Sequence, residues 1–208
     1  MGARYNYILA SINSNYHYLQ MIRGDSKDYN LLDNWVRGLK IETSKVLTCE
    51  IGVREGLGSK IIMDGIRGQA TGNYMHIGID PYGNLKYQHY DNSPAYTADY
   101  TNEMRLQLEK DLSDYKEFKL FHMTDREFMR RYPEYGPFNL VHFDGPHMTK
   151  DVLNEAIFFA ERSTTNTRFI FDDFKGYNMP LISNALQYYG FKEIDKGENK
   201  ICLEKLTQ

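Results

Sequence analysis

Carboxylates recur where short apolar runs end. The run at 46–51 carries Glu50 near its end and passes into Gly52, Arg54, Gly56 and Gly58; the run at 74–79 passes into Asp80; the run at 138–143 into Asp144, Gly145, Pro146 and His147; and the run at 168–172 closes on Asp172 and Asp173. In open α/β sheets ligands bind beyond the carboxyl ends of the strands, so chemistry is expected at these tips. Glycines after Glu50 let backbone approach a ligand or let a helix start tightly. A glutamate there repels a pyrophosphate but suits a cationic amino group. Asp80 can accept hydrogen bonds from both hydroxyls of a ribose or cap the next turn. Asp144, Asp172 and Asp173, placed side by side, cannot all stay ionised without raised pKa values or a cation. Carboxylate-only ligation suits a hard ion such as Mg²⁺, Mn²⁺ or Ca²⁺. The bland alternative is that Asp144 caps a helix entered at Pro146. His147 opens that helix, whose dipole disfavours imidazolium, and it is the candidate general base.

Alternation supplies the elements that must position these residues. Apolar runs rich in β-branched and aromatic residues occur at 46–51, 74–79, 118–123, 138–143, 168–172, 191–195 and 200–206. Helical spacing fills roughly 55–66, 99–115, 124–132, 147–163 and 178–189, with Met104, Leu108, Leu112 and Tyr115 as one apolar stripe. Strand alternating with helix implies an α/β fold with a doubly wound, mostly parallel sheet. The last two runs, joined by Lys196, Gly197, Glu198 and Asn199, read as an antiparallel hairpin. Residues 1–45 read as a helical cap segment over the working edge, with Asp25 or Ser26 as a helix cap, and 46–208 as the main domain.

Composition narrows the classes. With 25 Lys+Arg against 28 Asp+Glu the net charge is −3, which gives no global pull toward polyanions. Two cysteines make no disulfide framework, and no run approaches the ~20 apolar residues of a membrane span. The expectation is a cytoplasmic protein with a small-molecule substrate, no nucleic-acid partner and no membrane. All 11 Phe lie at or after Phe118, whereas 11 of the 17 Tyr fall within 1–30 and 74–100. Phe prefers burial and Tyr tolerates a half-wet surface, so the Tyr-rich stretches are expected to overhang a pocket. Arg4, Tyr16, His17, Tyr18, Tyr90, Tyr96, Lys175 and Tyr177 are candidate substrate contacts, and His89 could line the pocket.

Taken together, Glu50-x-Gly52-x-x-x-Gly56, Asp80, Thr124-Asp125, Asp144-Gly145-x-His147 and the final hairpin resemble the class I S-adenosylmethionine (SAM)-dependent methyltransferases over about residues 46–206. Asp144 with Asp172 and Asp173 is similar to the metal-binding acids of the divalent-metal-dependent O-methyltransferases of the catechol and macrocin (sugar) types. The resemblance implies a Rossmann-like seven-stranded sheet. It implies Glu50, Gly52 and Gly56 at the methionine part of SAM, Asp80 at the ribose, and Thr124 and Asp125 near the adenine. Asp144 would border the cofactor and, with Asp172 and Asp173, bind Mg²⁺; His147 stands where some members place the catalytic base. Catechol enzymes usually carry Asn at the position of Asp173, so the sequence leans to the sugar side, and Leu57 displaces Ser59 by one from the relatives' serine. The implied reaction is Mg-assisted methylation of a diol or catechol-like hydroxyl. A metal-independent enzyme acting on nitrogen, carboxyl or hydroxyl through Asp144 or His147, and a non-methylating nucleoside- or metal-binding relative, remain alternatives. A nicotinamide enzyme is disfavoured because Arg54 breaks the glycine fingerprint. The cap could cover its own site or a neighbour's, so a homo-oligomer stays open.

Overall fold

A computed structural model describes residues 22–42, 44–70 and 73–206. Its strands are β1 (Lys45–Ile51), β2 (Asn73–Ile79), β3 (Lys86–Tyr87), β4 (Tyr96–Thr97), β5 (Phe118–Phe121), β6 (Phe138–Phe143), β7 (Ser163–Phe171), β8 (Phe191–Lys196) and β9 (Ile201–Lys205). The helices are α1 (Tyr29–Arg37), α2 (Leu57–Arg67), α3 (Asn102–Asp111), α4 (Asp125–Arg131), α5 (Thr149–Ala160) and α6 (Met179–Gln187). Seven strands form one sheet in the order β5-β2-β1-β6-β7-β9-β8, with β9 antiparallel to both neighbours. This is the mostly parallel, doubly wound sheet with a terminal hairpin that the alternation predicts. The two-residue pair β3 and β4, inside the Tyr-rich insertion, is an addition too short to carry a periodic signal.

Burial follows residue type. Under α4, α5 and α6 one face of the sheet holds Phe121, Phe128, Phe138, Phe143, Phe159, Phe169, Phe171 and Phe191, so the late phenylalanines do build the core. The opposite face is covered by α1 and α2, through Leu32, Trp35, Val36, Ile62 and Ile66 on Val46, Leu140, Ile170 and Cys202. Leu108 and Leu112 of the α3 stripe pack on Val53, Met63 and Tyr82. Of the segment expected to form the cap, the structure describes residues 22–42 and 44–45. Among the described residues before β1, helix α1 lies across a sheet face, pinned by Trp35 Nε1 donating to Asp195 (2.9 Å), and residues within 23–29 border the strand tips. Neither Asp25 nor Ser26 caps it. The helix starts after Asp28, whose carboxylate is spent on the backbone N–H groups of Asn199 (2.7 Å) and Lys200 (3.2 Å) in the β8–β9 turn. Among the described residues no helix is long and apolar enough to cross a membrane.

Candidate active site

Parallel ladders continue one residue beyond several strands and align their tips. The N–H of Gly52 donates to Ile79, that of Asp144 to Ile51, and that of Asp172 to Phe143, each at 2.9 Å. Chain order reverses between β1 and β6, and a cavity of about 700 Å³ opens there, within the ordinary range of ligand sites. Glu50, Gly52, Gly56, Asp80, Thr124, Asp125, Asp144, His147, Asp172 and Asp173 all line it. Gly52 has φ +80°, and a Cβ there would sit 2.0 Å from the Asp144 carbonyl oxygen. Only glycine lets the two tips approach this closely.

Glu50 is turned inward. Ser59 Oγ donates to one carboxylate oxygen and His142 Nδ1 to the other (2.8 Å). Behind Ser59 the chain of donors runs from Tyr74 to Thr48 (3.1 Å), on to His76 Nδ1 (2.8 Å), and from His76 Nε2 to Ser59 (3.0 Å). Burial, and next His142, hold the His76 pKa down at about 3, consistent with a neutral ring passing one proton along each link. Space for this carboxylate comes from Gly58, whose Cβ would meet Glu50 Oε1 at 1.9 Å. Gly58→Ala gains about 1 kcal/mol of helix propensity but displaces a buried carboxylate from its donors, at about 1–3 kcal/mol. Net destabilisation is expected, measurable as a lowered midpoint in urea unfolding.

Asp80 does two things at once. Its Oδ2 accepts the N–H groups of Val53 and Arg54 (both 2.9 Å), which folds the loop after β1, while its buried Oδ1 has no partner. Burial raises its pKa to about 6 against those two donors. The same loop places the Arg54 side chain between Asp25 and the Tyr100 ring; sequence reasoning noted Arg54 only as a broken glycine motif. Thr124 caps α4 through Glu127 N (3.1 Å). Asp125 sits beside buried Glu155, both pushed up by burial.

The three-acid magnesium set does not hold together. Asp172 is already matched by a cation of the chain itself: the fully buried Lys200 Nζ lies 2.9 Å from its Oδ2 and 2.9 Å from Ser26 Oγ, over the Tyr29 ring. Its Oδ1 accepts from Asn199 Nδ2 (2.8 Å) and from the N–H of Asp173 (2.9 Å). Burial alone would raise Asp172, but the Lys200 ammonium and then the Asp144 carboxyl hold it well below the usual range. Asp144 goes the other way, raised by burial first and by the Asp172 charge second. Lys200 thus already supplies the counter-charge at Asp172, and among the described residues Asp144, Asp172 and Asp173 do not converge as one ligand group, so Mg²⁺ does not fit these three side chains as placed. Lys200 escaped sequence reasoning because its opposition to Asp172 depends on the register of β9 against β7.

Asp173 points elsewhere. At φ +46°, it takes a hydrogen bond from Tyr90 OH (2.8 Å) and lies 3.4 Å from His147 Nδ1. His147 Nδ1 also faces His89 Nε2 at 3.1 Å, while its buried Nε2 has no hydrogen-bond partner and looks to Asp144 Oδ1 at 3.8 Å. His89 lines the cavity. Tyr90, Lys175 and Tyr177 do not; they border a shallower concavity of about 490 Å³ next to it. Tyr177 is structural in position, its hydroxyl donating to the Asp172 carbonyl (2.8 Å) and its ring stacked on His147. Tyr96 is exposed, its hydroxyl on Tyr87. Arg4, Tyr16, His17 and Tyr18 lie outside the described residues.

A seven-stranded sheet of this order with an acid-lined cavity at its switch point is the class I methyltransferase architecture. The chain belongs to the methyltransferase-domain family, whose model matches residues 49–174, and is a SAM-dependent methyltransferase. A sequence comparison with curated proteins finds no match. Solved structures share the fold. An rRNA methylase from Streptococcus thermophilus is 9% identical (TM-score 0.52, 85% of this chain and 95% of that one). A protein from Streptococcus mutans in complex with S-adenosylhomocysteine (SAH) is 9% identical (TM-score 0.55, 88% and 100%). The calicheamicin methyltransferase CalS11 is 14% identical (TM-score 0.56, 85% and 76%). These likenesses overturn the expectation of a small-molecule substrate with nucleic acid excluded. The fold is that of rRNA methylases and of a ribosomal protein L11 methylase as well, and a net charge near zero says nothing about a local site.

Proposed function

We propose that the chain transfers a methyl group from SAM to a hydroxyl oxygen, with cofactor and acceptor at opposite ends of one cavity. The observation that carries the reading is the arrangement of that cavity: Asp80, with a buried unpartnered oxygen, at the β1–β2 end, and the His89, His147 and Asp173 corner at the β6–β7 end. A buried orphan acceptor costs about 1–3 kcal/mol unless a ligand satisfies it, and a ribose hydroxyl is the donor that fits. Gly52, Gly56 and Glu50 would border the methionine part, and Thr124 and Asp125 the adenine. Bound SAM supplies a methyl already activated on sulfonium, so the protein's task is alignment and handling of the acceptor's proton. The corner offers two imidazoles and a carboxylate, groups that hold and polarise a hydroxyl. The magnesium-assisted variant has no support in the Lys200-matched acids.

Cofactor binding tests the first half. Ribose hydroxyls donate to ionised Asp80, so SAH affinity is expected to rise from about pH 5 to about pH 7.5, through the Asp80 pKa of about 6. In the free protein the raised pKa makes stability fall as pH climbs from the unfolded-state value to the folded one, and bound cofactor offsets that loss. The SAH-induced rise in melting temperature should therefore be larger at the higher pH. Asp80→Asn should flatten both profiles and weaken SAH about tenfold or more. A wild-type affinity independent of pH would refute the assignment. The second half is tested by methylation of paired acceptors, a free hydroxyl compound and its amine analogue, alongside ribosomal RNA and protein; transfer to amine alone would overturn it.

A further inference from the structure

We infer that His89, His147 and Asp173 form a binding site for a borderline divalent transition-metal ion of the Zn²⁺ or Co²⁺ type. One donor atom from each lies within 4.8 Å of the others, on the wall of the main cavity. The spacings are those of a ligand set. Metal–nitrogen bonds of about 2.0–2.1 Å place neighbouring donors about 3.0–3.4 Å apart. Here His147 Nδ1 is 3.1 Å from His89 Nε2 and 3.4 Å from Asp173 Oδ2.

Two of the ligands also have an outer partner of the kind that fixes a metal-bound side chain. His89 Nδ1 faces Tyr87 OH at 3.3 Å, and Asp173 Oδ2 accepts from Tyr90 OH at 2.8 Å. His147, 3% exposed, has an Nε2 that lacks any hydrogen bond and looks across 3.8 Å to the Asp144 carboxyl. A hydrogen bond between the two imidazoles accounts for the 3.1 Å contact. It leaves the orphan Nε2 of the same ring unexplained. An ion on Nδ1 fixes the tautomer with hydrogen on Nε2, directed at Asp144. The loop that brings His89 is held in place, since Tyr90 bridges to His147 through backbone and Thr149 donates through N–H (3.0 Å) and hydroxyl to Asp91.

Two imidazoles and one carboxylate select against Mg²⁺, which prefers an all-oxygen shell, and favour the nitrogen-binding ions. Three protein ligands leave a position open toward the cavity. That is where the proposed hydroxyl acceptor sits, and a Lewis acid there lowers a hydroxyl's pKa. Only this last link rests on the methylation reading; the metal site itself does not.

The test is titration of chelator-treated protein with Co²⁺ in the absence of cofactor and acceptor, read by visible d–d absorption. Expected are bands saturating at one ion per chain, displaced by Zn²⁺ and indifferent to excess Mg²⁺. His89→Ala, at a partly exposed loop position, and Asp173→Asn should weaken Co²⁺ more than about tenfold, and Tyr90→Phe measurably. His122→Ala, outside the cavity, should change nothing. Absence of bands, bands undiminished in His89→Ala, or equal competition by Mg²⁺ would overturn the site. Melting-temperature shifts with SAH in the same variants show that the fold persists and separate a failed metal site from a failed methyltransferase reading.

Discussion

Lys200→Met is expected to destabilise the protein by about 3–5 kcal/mol, because it leaves Asp172 charged and buried without its cation. The methionine keeps most of the lysine's volume, so the loss is electrostatic and not a cavity effect. Urea unfolding checks it, with the midpoint falling and the slope unchanged. The double variant Lys200→Met with Asp172→Asn discriminates. If the penalty is an uncompensated charge, removing that charge restores a large part of the loss, and Lys200→Met alone is worse than the pair. Additive losses would mean that Lys200 contributes by packing.

His147→Ala should reduce kcat at least about a hundredfold, some 2.7 kcal/mol of barrier, while SAH affinity stays within about twofold of the parent. Whether the corner works as free imidazoles or as the metal site inferred above, this ring is its centre, in contact with His89 and Asp173 and close to Asp144. Its removal also strips a stacked face from Tyr177 and Tyr90. Single-turnover kinetics with saturating cofactor measure the step itself. Equal loss of SAH affinity and of rate would show a collapsed cavity in place of a missing group.

Much of this site is readable as a linear pattern because a parallel sheet repeats one geometry. Each apolar run ends at the same edge, so Asp80, Asp144 and Asp172 fall into one row once the runs are recognised. The late phenylalanines likewise announce the core, since burial is their main source of stabilisation. What escapes the pattern depends on contacts between segments far apart in the chain. Lys200 meets Asp172 through the register in which Ile201 opposes Phe171, and nothing local to either residue reports it. His89 reaches His147 from an insertion without periodicity. Glu50 finds room for its carboxylate because Gly58 vacates the volume it fills, and the donors Ser59 and His142 that hold it come from a helix and a strand that the tip itself does not report. The helix start moved from Asp25 or Ser26 to the residue after Asp28 for the same reason, a distant turn having claimed the carboxylate.

That turn has a consequence for how the molecule comes together. Asp28 clasps Asn199 and Lys200, and Ser26 meets Lys200 again, across separations of 171 to 174 residues. Closing so long a loop carries an entropic penalty that such contacts must overcome, and structures rich in distant contacts assemble slowly. The contacts that Ser26 and Asp28 make in the cavity's lip therefore form only with the β8–β9 turn in place. During synthesis the five parallel strands β1, β2, β5, β6 and β7 all precede Lys200, so Asp172 lacks its ammonium until β9 follows. Truncation ahead of Lys200 would remove the counter-charge and the clasp together, so a site built almost wholly from earlier chain depends on this short hairpin.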